Sequence, residues 1–430
     1  MKNWVKFKNM VVLGVKRLVF LFLLFNVILL ANFEYVGYYG VNPVPEEWIN
    51  KSSVEKAEAR FVFSPAFYLA NWSSNVVTKY GGWWGVPTNP AQNVFYLQDE
   101  LPELLQLVLN YASNGFCLYL ELPLEKEYTN KLITLNTSNN IPFDLSIDLN
   151  FPKQAYLYYV GDNFYVSVGR YKFSWGDAKY PVHISPTTTL DNLTFAIRFP
   201  GVNFTFHAIP SYPLLTLEEY NIQKNYSDQN TAGMYFYEPS KYIFAHRIDF
   251  YGNIGNDFKT RLGISELNIV GGKVPDLIDL GPVLIYHNTY GEGFSNVTGG
   301  MDFSVSYKDM IKLYGELVID DASTLTESQD SYKPGAQAYN IGLSARIEDT
   351  KFWVEYAETS EWMYVTNYLP YLRINVRKFF IQNFPSNRYF VDYPLGFIYG
   401  PDTKMFSVGI NGVNVNIKMN KKSKIKMYKK

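Results

Sequence analysis

Five arginines, Arg170, Arg198, Arg247, Arg261 and Arg346, stand in separate segments whose neighbours alternate apolar and polar. Four carboxylates, Asp249, Asp302, Glu316 and Asp320, stand in segments of the same kind. A guanidinium offers a fixed fork of donors and a carboxylate accepts them. Opposed across a pore, the two sets select ions and orient small solutes. Paired between neighbouring strands, they only stiffen a wall. Both readings need these charges on one face of a sheet.

A second group could contact sugars. Trp83, Trp84, Trp175 and Tyr180 lie in loop or loop-edge segments, with Asp177 and Lys179 beside the last two. Exposed aromatic faces stack on sugar rings, and polar neighbours hydrogen-bond hydroxyls. The competing reading is interfacial anchoring or loop packing. Asp320, Asp321, Glu327 and Asp330 make an acidic loop, but no spacing matches a calcium loop. No metal site or cofactor is expected. The histidines are His183, His207, His246 and His287, none in a nucleophile or zinc motif. The chain does not read as an enzyme. With Cys117 as its single cysteine it can form no intramolecular disulfide.

The elements that must position these residues are hairpins. From about Gln154 to Lys418 one unit recurs: an alternating strand, a tight turn, and a second alternating strand. Phe303, Val305 and Tyr307 fall on one face, and Asp302, Ser304 and Ser306 on the other. The same holds for Ile341, Leu343 and Ile347 against Asn340, Ser344 and Arg346. Short turns alternate with long Pro-, Gly- and Asp-bearing connections, such as 174–191, 209–241, 321–335 and 359–370. Outer-membrane barrels show this inequality, with short periplasmic turns and long outer loops. The fold expected is all-β: a transmembrane antiparallel β-barrel of roughly 16 to 18 strands with a small helical N-terminal segment. A barrel that wide has room for an aqueous interior.

Composition agrees. The net charge is −1, so no strong field draws nucleic acid. Charged residues are only 18%, against about a quarter in ordinary soluble domains. Mean hydropathy is −0.13, far from that of a helical membrane protein. Spanning strands interleave polar residues, so averages hide them.

Residues 1–31 read as a signal peptide, with a basic start, an apolar stretch from Leu18 to Leu30, and Ala31 before cleavage. Residues 32–60 read as a polar segment with a helix candidate near 45–59, and 61–418 as the barrel. Leu104, Leu105, Val108 and Leu109 have helical spacing, predicting a short helix near 101–111. Residues 405–417 read as a closing strand bulged at Asn411 and Gly412, followed by a basic tail over 419–430.

Three segments resemble the Wzi-type capsule-assembly family of outer-membrane barrels. The first is VGRYKFSWGDAKYPVHISP (Val168 to Pro186), with Gly169, Arg170, Trp175, Gly176 and Ser185 at the family's positions. The others are LYGELVIDD (Leu313 to Asp321) and HRIDF (His246 to Phe250). The resemblance implies a wide barrel of roughly eighteen strands, an N-terminal helical segment and surface retention of polysaccharide. The Tyr-, Lys- and Asn-rich chain is also similar to porin-like barrels of sheathed thermophilic bacteria, which implies a general pore.

The function expected is a porin-like channel or structural envelope protein in a bacterial outer membrane, passing small hydrophilic solutes. The alternative is a Wzi-like barrel binding polysaccharide in capsule or outer-sheath assembly, and a more distant one an outer-membrane hydrolase. The expected partners are outer-membrane lipid and the barrel-assembly machinery, with polysaccharide on the alternative reading. Porins often assemble as homotrimers.

Overall fold

The computed structural model describes residues 56–63, 67–69, 104–126, 137–139, 145–147, 154–210 (except 162, 173 and 188), 221, 238–272 (except 256), 295–321, 335–364 (except 349), 373–379, 388–410 and 413–420. The strands among them are β1 (Lys56–Phe63), β2 (Phe67–Leu69), β3 (Leu105–Ser113), β4 (Phe116–Lys126), β5 (Thr137–Asn139), β6 (Leu145–Ile147), β7 (Gln154–Val160), β8 (Phe164–Tyr171), β9 (Leu190–Phe199), β10 (Val202–Pro210), β11 (Glu238–Ile254), β12 (Phe258–Gly272), β13 (Ser295–Tyr307), β14 (Ile311–Asp321), β15 (Ala336–Ile347), β16 (Thr350–Thr359), β17 (Arg373–Phe379), β18 (Arg388–Pro394), β19 (Thr403–Ile410) and β20 (Val413–Asn420).

Sixteen of these strands form one antiparallel sheet. It runs β1-β3-β4-β7-β8-β9-β10-β11-β12-β13-β14-β15-β16-β19-β20, with β6 paired to β4. The pairs β17–β18 and β2–β5 stand apart as short ladders. From β7 to β16 every strand pairs with the next in sequence, an up-and-down meander. Two or three residues join the strands of each hairpin, from β3–β4 to β19–β20. The other connections are longer, from 322–335 between β14 and β15 to 360–402 between β16 and β19. Asn114 and Gly115 both have positive φ, 48° and 81°, which suits a two-residue hairpin turn.

The two faces of the sheet are inverted relative to a water-soluble protein. On β15 Ile341 and Leu343 are 49% and 48% exposed, while Asn340 and Ser344 are 2% and 8% exposed. The pattern repeats from β7 to β19: Leu157, Phe164, Val168, Leu193, Ile264, Met301, Val354 and Phe406 face out. An exposed apolar face of this extent, over a buried polar one, is stable only against lipid. The fold is therefore a transmembrane antiparallel β-barrel wall, as the alternation predicts.

The inner face is not polar throughout. Toward the long connections it carries Ile243, Ala245, Leu267, Ile269, Val318 and Ala338, all fully buried in one apolar cluster. Polar and charged residues hold the half nearer the short turns.

Several expectations are corrected. Residues 105–111 are not helical: Leu105, Leu107, Leu109 and Tyr111 share one face of β3 while Gln106, Val108 and Ala112 are buried on the other. A period of two fits this apolar stretch as well as a helical period does, and pairing with β1 and β4 decides between them. The polar segment expected over 32–60 gives its last residues, from Lys56, to β1. The closing strand expected over 405–417 is instead the hairpin β19–β20, with Ile410 paired to Val413 where a bulge was expected. The signal peptide, residues 32–55 and the tail beyond Asn420 lie outside the described residues.

Candidate functional site

Residues 174–187, between β8 and β9, lie on the inner face as a strap. Two wall carboxylates hold its backbone. Glu355 on β16 accepts from the amides of Lys179 (2.5 Å) and Tyr180 (3.1 Å). Glu316 on β14 accepts from those of Val182 (2.7 Å) and His183 (3.2 Å). Asn340 on β15 donates to the Tyr180 carbonyl. A strap away from regular pairing must find partners for its amides, and these carboxylates supply them.

Apolar packing sets its depth. Val182 and Ile184 are fully buried in the inner apolar cluster, and Trp175 is 2% exposed. A second inner segment meets it from the connection before β19. Tyr364 Oη donates to the Val182 carbonyl and accepts from the Phe397 amide, and the Ser185 amide donates to the Leu395 carbonyl.

A chain of six alternating charges runs from the wall to the strap. Arg247 on β11 donates to Asp249 through Nε (2.8 Å) and Nη2 (2.6 Å). It also donates to both oxygens of Asp302 on β13. Arg261 on β12 donates to Asp302 (2.8 Å) and to Asp177 of the strap (2.9 Å). Lys312 on β14 donates to the other oxygen of Asp177 (2.7 Å). The side chains are 2% exposed at Arg247, 19% at Arg261 and 39% at Lys312. Its cations thus become wetter along the chain, toward the short-turn mouth. Burial pushes the Asp177 carboxyl up, but Arg261 and Lys312 outweigh it and hold the group below its ordinary value.

Glycines in the wall make room for this assembly. Gly263 is in register between Asp249 and Asp302, and the Arg247 guanidinium lies over it. Gly300 leaves space for the His183 ring, whose nitrogens lie 3.1 Å from Ser265 Oγ and 3.0 Å from Thr298 Oγ1. Burial, helped by the nearby Arg247 charge, takes the His183 value down to about 4, so the ring is neutral at ordinary pH.

Of the residues the sequence singled out as lumen charges, Arg247, Asp249, Asp302, Arg261 and Glu316 meet at this one site. Asp320 stands at the long-connection end of β14, away from the charge chain. Arg346 is exposed at the end of β15. The backbone of Arg198 pairs with Asn203, while its side chain lies outside the description. Arg170 is corrected. Strand alternation sets it on the outer face at the long-loop end, where it pairs with Asp191 at 2.8 Å.

The aromatic candidates also move. Trp175 offers no open face to a sugar: its ring is buried edge-on to His183, with Arg247 5.9 Å from its centroid. Tyr180 stacks with Tyr399, and Lys179 lies over Trp353. Trp83 and Trp84 lie outside the described residues. Sequence reasoning missed Glu355 and Lys312 as partners of the strap. Glu355 stands between Trp353 and Ala357 on the inner face, and that position was the available signal.

Segments 168–186, 313–321 and 246–250 converge here, contributing Asp177 and His183, Glu316, and Arg247 with Asp249. No protein-family model and no curated protein matches the chain. Solved structures resemble it weakly. In-vitro folded OmpT, an outer membrane protein of Vibrio cholerae, is 9% identical over 86% of this chain and 99% of that one, with a TM-score of 0.30. An anion-selective porin from Comamonas acidovorans is 9% identical over 73% and 76%, with a TM-score of 0.30. OpdL from Pseudomonas aeruginosa is 8% identical over 73% and 82%, with a TM-score of 0.31. These values are too low to assign a function.

Proposed function

We propose that the protein is a porin-like channel of a bacterial outer membrane, with the strap 174–187 as its constriction and small hydrophilic solutes as its cargo. The observation that carries this reading is the fastening of the strap across the polar inner face by Glu316 and Glu355, beside the partly exposed charges of Arg261, Asp177 and Lys312. Fixed charges at a narrowing choose solutes by sign and orientation. The apolar exterior and the unequal connections support the membrane placement.

Catalysis is not supported. Both ring nitrogens of His183 face hydroxyls, and the ring is 1% exposed. His246 pairs with Glu266 on the outer face. The polysaccharide reading would need open aromatic faces; Trp175 is buried, and half-buried Tyr180 has one face stacked on Tyr399.

Purified protein in planar bilayers tests the channel reading. Stepwise conductance supports it. A barrel that inserts, shown by protease protection, yet carries no current sinks it.

A further inference from the structure

The connection between β16 and β19 grips the strap as well as the wall does. It leaves β16 at Thr359 and returns to β19 at Thr403, and its two ends are tied together at the base. The Asp402 amide donates to the Ser360 carbonyl (3.0 Å), and Thr359 Oγ1 donates to the Gly400 carbonyl (2.9 Å). Tyr364 and Gly396 also meet there: a Cβ on Gly396 would stand 2.4 Å from the Tyr364 ring. Met363, Tyr364, Leu395 and Phe397 are fully buried, in the same inner apolar cluster as Val182 and Ile184.

Three contacts join this base to the strap. Tyr364 Oη donates to the Val182 carbonyl while accepting from the Phe397 amide at 3.1 Å. The Ser185 amide donates to the Leu395 carbonyl at 2.8 Å. The Tyr399 ring stacks on Tyr180. Val182 is thus held from two sides, its amide by Glu316 of the wall and its carbonyl by Tyr364 of the connection. Tyr364 itself has a φ of 67°, in the left-handed region that bulky residues rarely enter. Such a conformation persists only where the surroundings impose it, and it clusters at clamps and switch regions. With the backbone so turned, one hydroxyl reaches Val182 and Phe397 at once.

We infer that Tyr364 is a positioning residue that pins the strap to the base of the β16–β19 connection, so that the strap is controlled from the long-connection side of the barrel as well as from the wall. As control of a channel's constriction this rests on the reading above; as a pin on the strap it does not. Removing the hydroxyl takes a buried donor from the Val182 carbonyl and a buried acceptor from the Phe397 amide, which favours release of the strap.

The test puts a single thiol on the strap of the full chain, by Ser185→Cys with the buried Cys117 changed to Ala, and measures maleimide labelling of the folded barrel without denaturant. Ser185 is 3% exposed, so labelling reports release of the strap. In this background Tyr364→Phe is expected to speed labelling about tenfold. Gly396→Ala changes the connection alone and crowds the Tyr364 ring, so it should act in the same direction. Tyr339→Phe removes a hydroxyl from the outer face and should leave the rate unchanged. A folded Tyr364→Phe or Gly396→Ala barrel that labels at the parent rate overturns the inference. So does faster labelling matched by an equal loss of overall stability in urea. Bilayer recordings of the same variants separate the pin from the channel reading. Faster labelling with larger conductance steps upholds both, and faster labelling with unchanged steps overturns control of the constriction. Faster labelling in a barrel that carries no current upholds the pin and removes the channel reading. A conducting barrel whose labelling ignores both substitutions overturns the pin and leaves the channel reading standing.

Discussion

Gly263 and Arg247 compete for one place on the inner wall. A Cβ on Gly263 would stand 1.9 Å from Arg247 Nη2 and 2.4 Å from its Cζ. The missing side chain is what allows the guanidinium to reach Asp249 on one side and Asp302 on the other. A buried charge group of this kind is stable only while every member keeps its partner.

Gly263→Ala is therefore expected to displace the guanidinium, taking Arg247 from buried Asp249 and leaving Asp302 with Arg261 alone. The cost is about 3–5 kcal/mol, the range for breaking a buried pair. Gly299→Ala is the control, because a Cβ there meets nothing within 4 Å. Urea unfolding in lipid vesicles measures both. Equal midpoints for the two variants would show that the guanidinium does not need the gap.

Much of the wall was legible in the sequence. The hairpins from β7 to β16 follow the alternation, because a period of two and tight-turn residues act locally. The charges of the site were legible one by one, as Arg247, Asp302 and Glu316 at inner positions. Their grouping was not, since register across five strands and the path of the strap are non-local. Trp175 illustrates the limit. Its loop context pointed to exposure, and packing of the strap against the wall buried it. Residues 105–111 fit two periods, and only neighbouring strands resolved them.

Glu355→Gln is expected to loosen the strap. The carboxylate takes both the Lys179 and Tyr180 amides, whereas a carboxamide has one oxygen and turns a donor toward the second amide. The loss is about 1–3 kcal/mol. Trypsin should then cut after Lys179 faster in the variant than in the parent. Identical cleavage rates would mean that the carboxylate does not fasten the strap.

His183 gives the protein a defined pH dependence. Burial lowers its value from the ordinary 6.5 to about 4. As pH falls through 6.5 the unfolded chain takes up a proton that the folded protein refuses until about 4. The stability due to the neutral ring is complete above pH 6.5, drains away between 6.5 and 4, and changes no further below. The amount is on the order of 3 kcal/mol. Unfolding midpoints across this window should fall less steeply for His183→Gln than for the parent. Parallel curves would remove His183 as the source.

Arg170→Ala is expected to leave conductance and ion selectivity unchanged. Its ion pair with Asp191 lies on the outer face, with side chains 37% and 47% exposed, and such pairs are worth at most about 1 kcal/mol. Bilayer recordings of the variant check this. A changed selectivity would bring Arg170 back to the lumen.

The strap as the constriction of a conducting barrel is tested most directly by single-channel conductance of the parent and of the Glu316→Gln/Glu355→Gln double variant. The parent should conduct in small steps, and the double variant, its strap released at both anchors, in larger ones. Equal steps, or no current from either protein, would contradict the account.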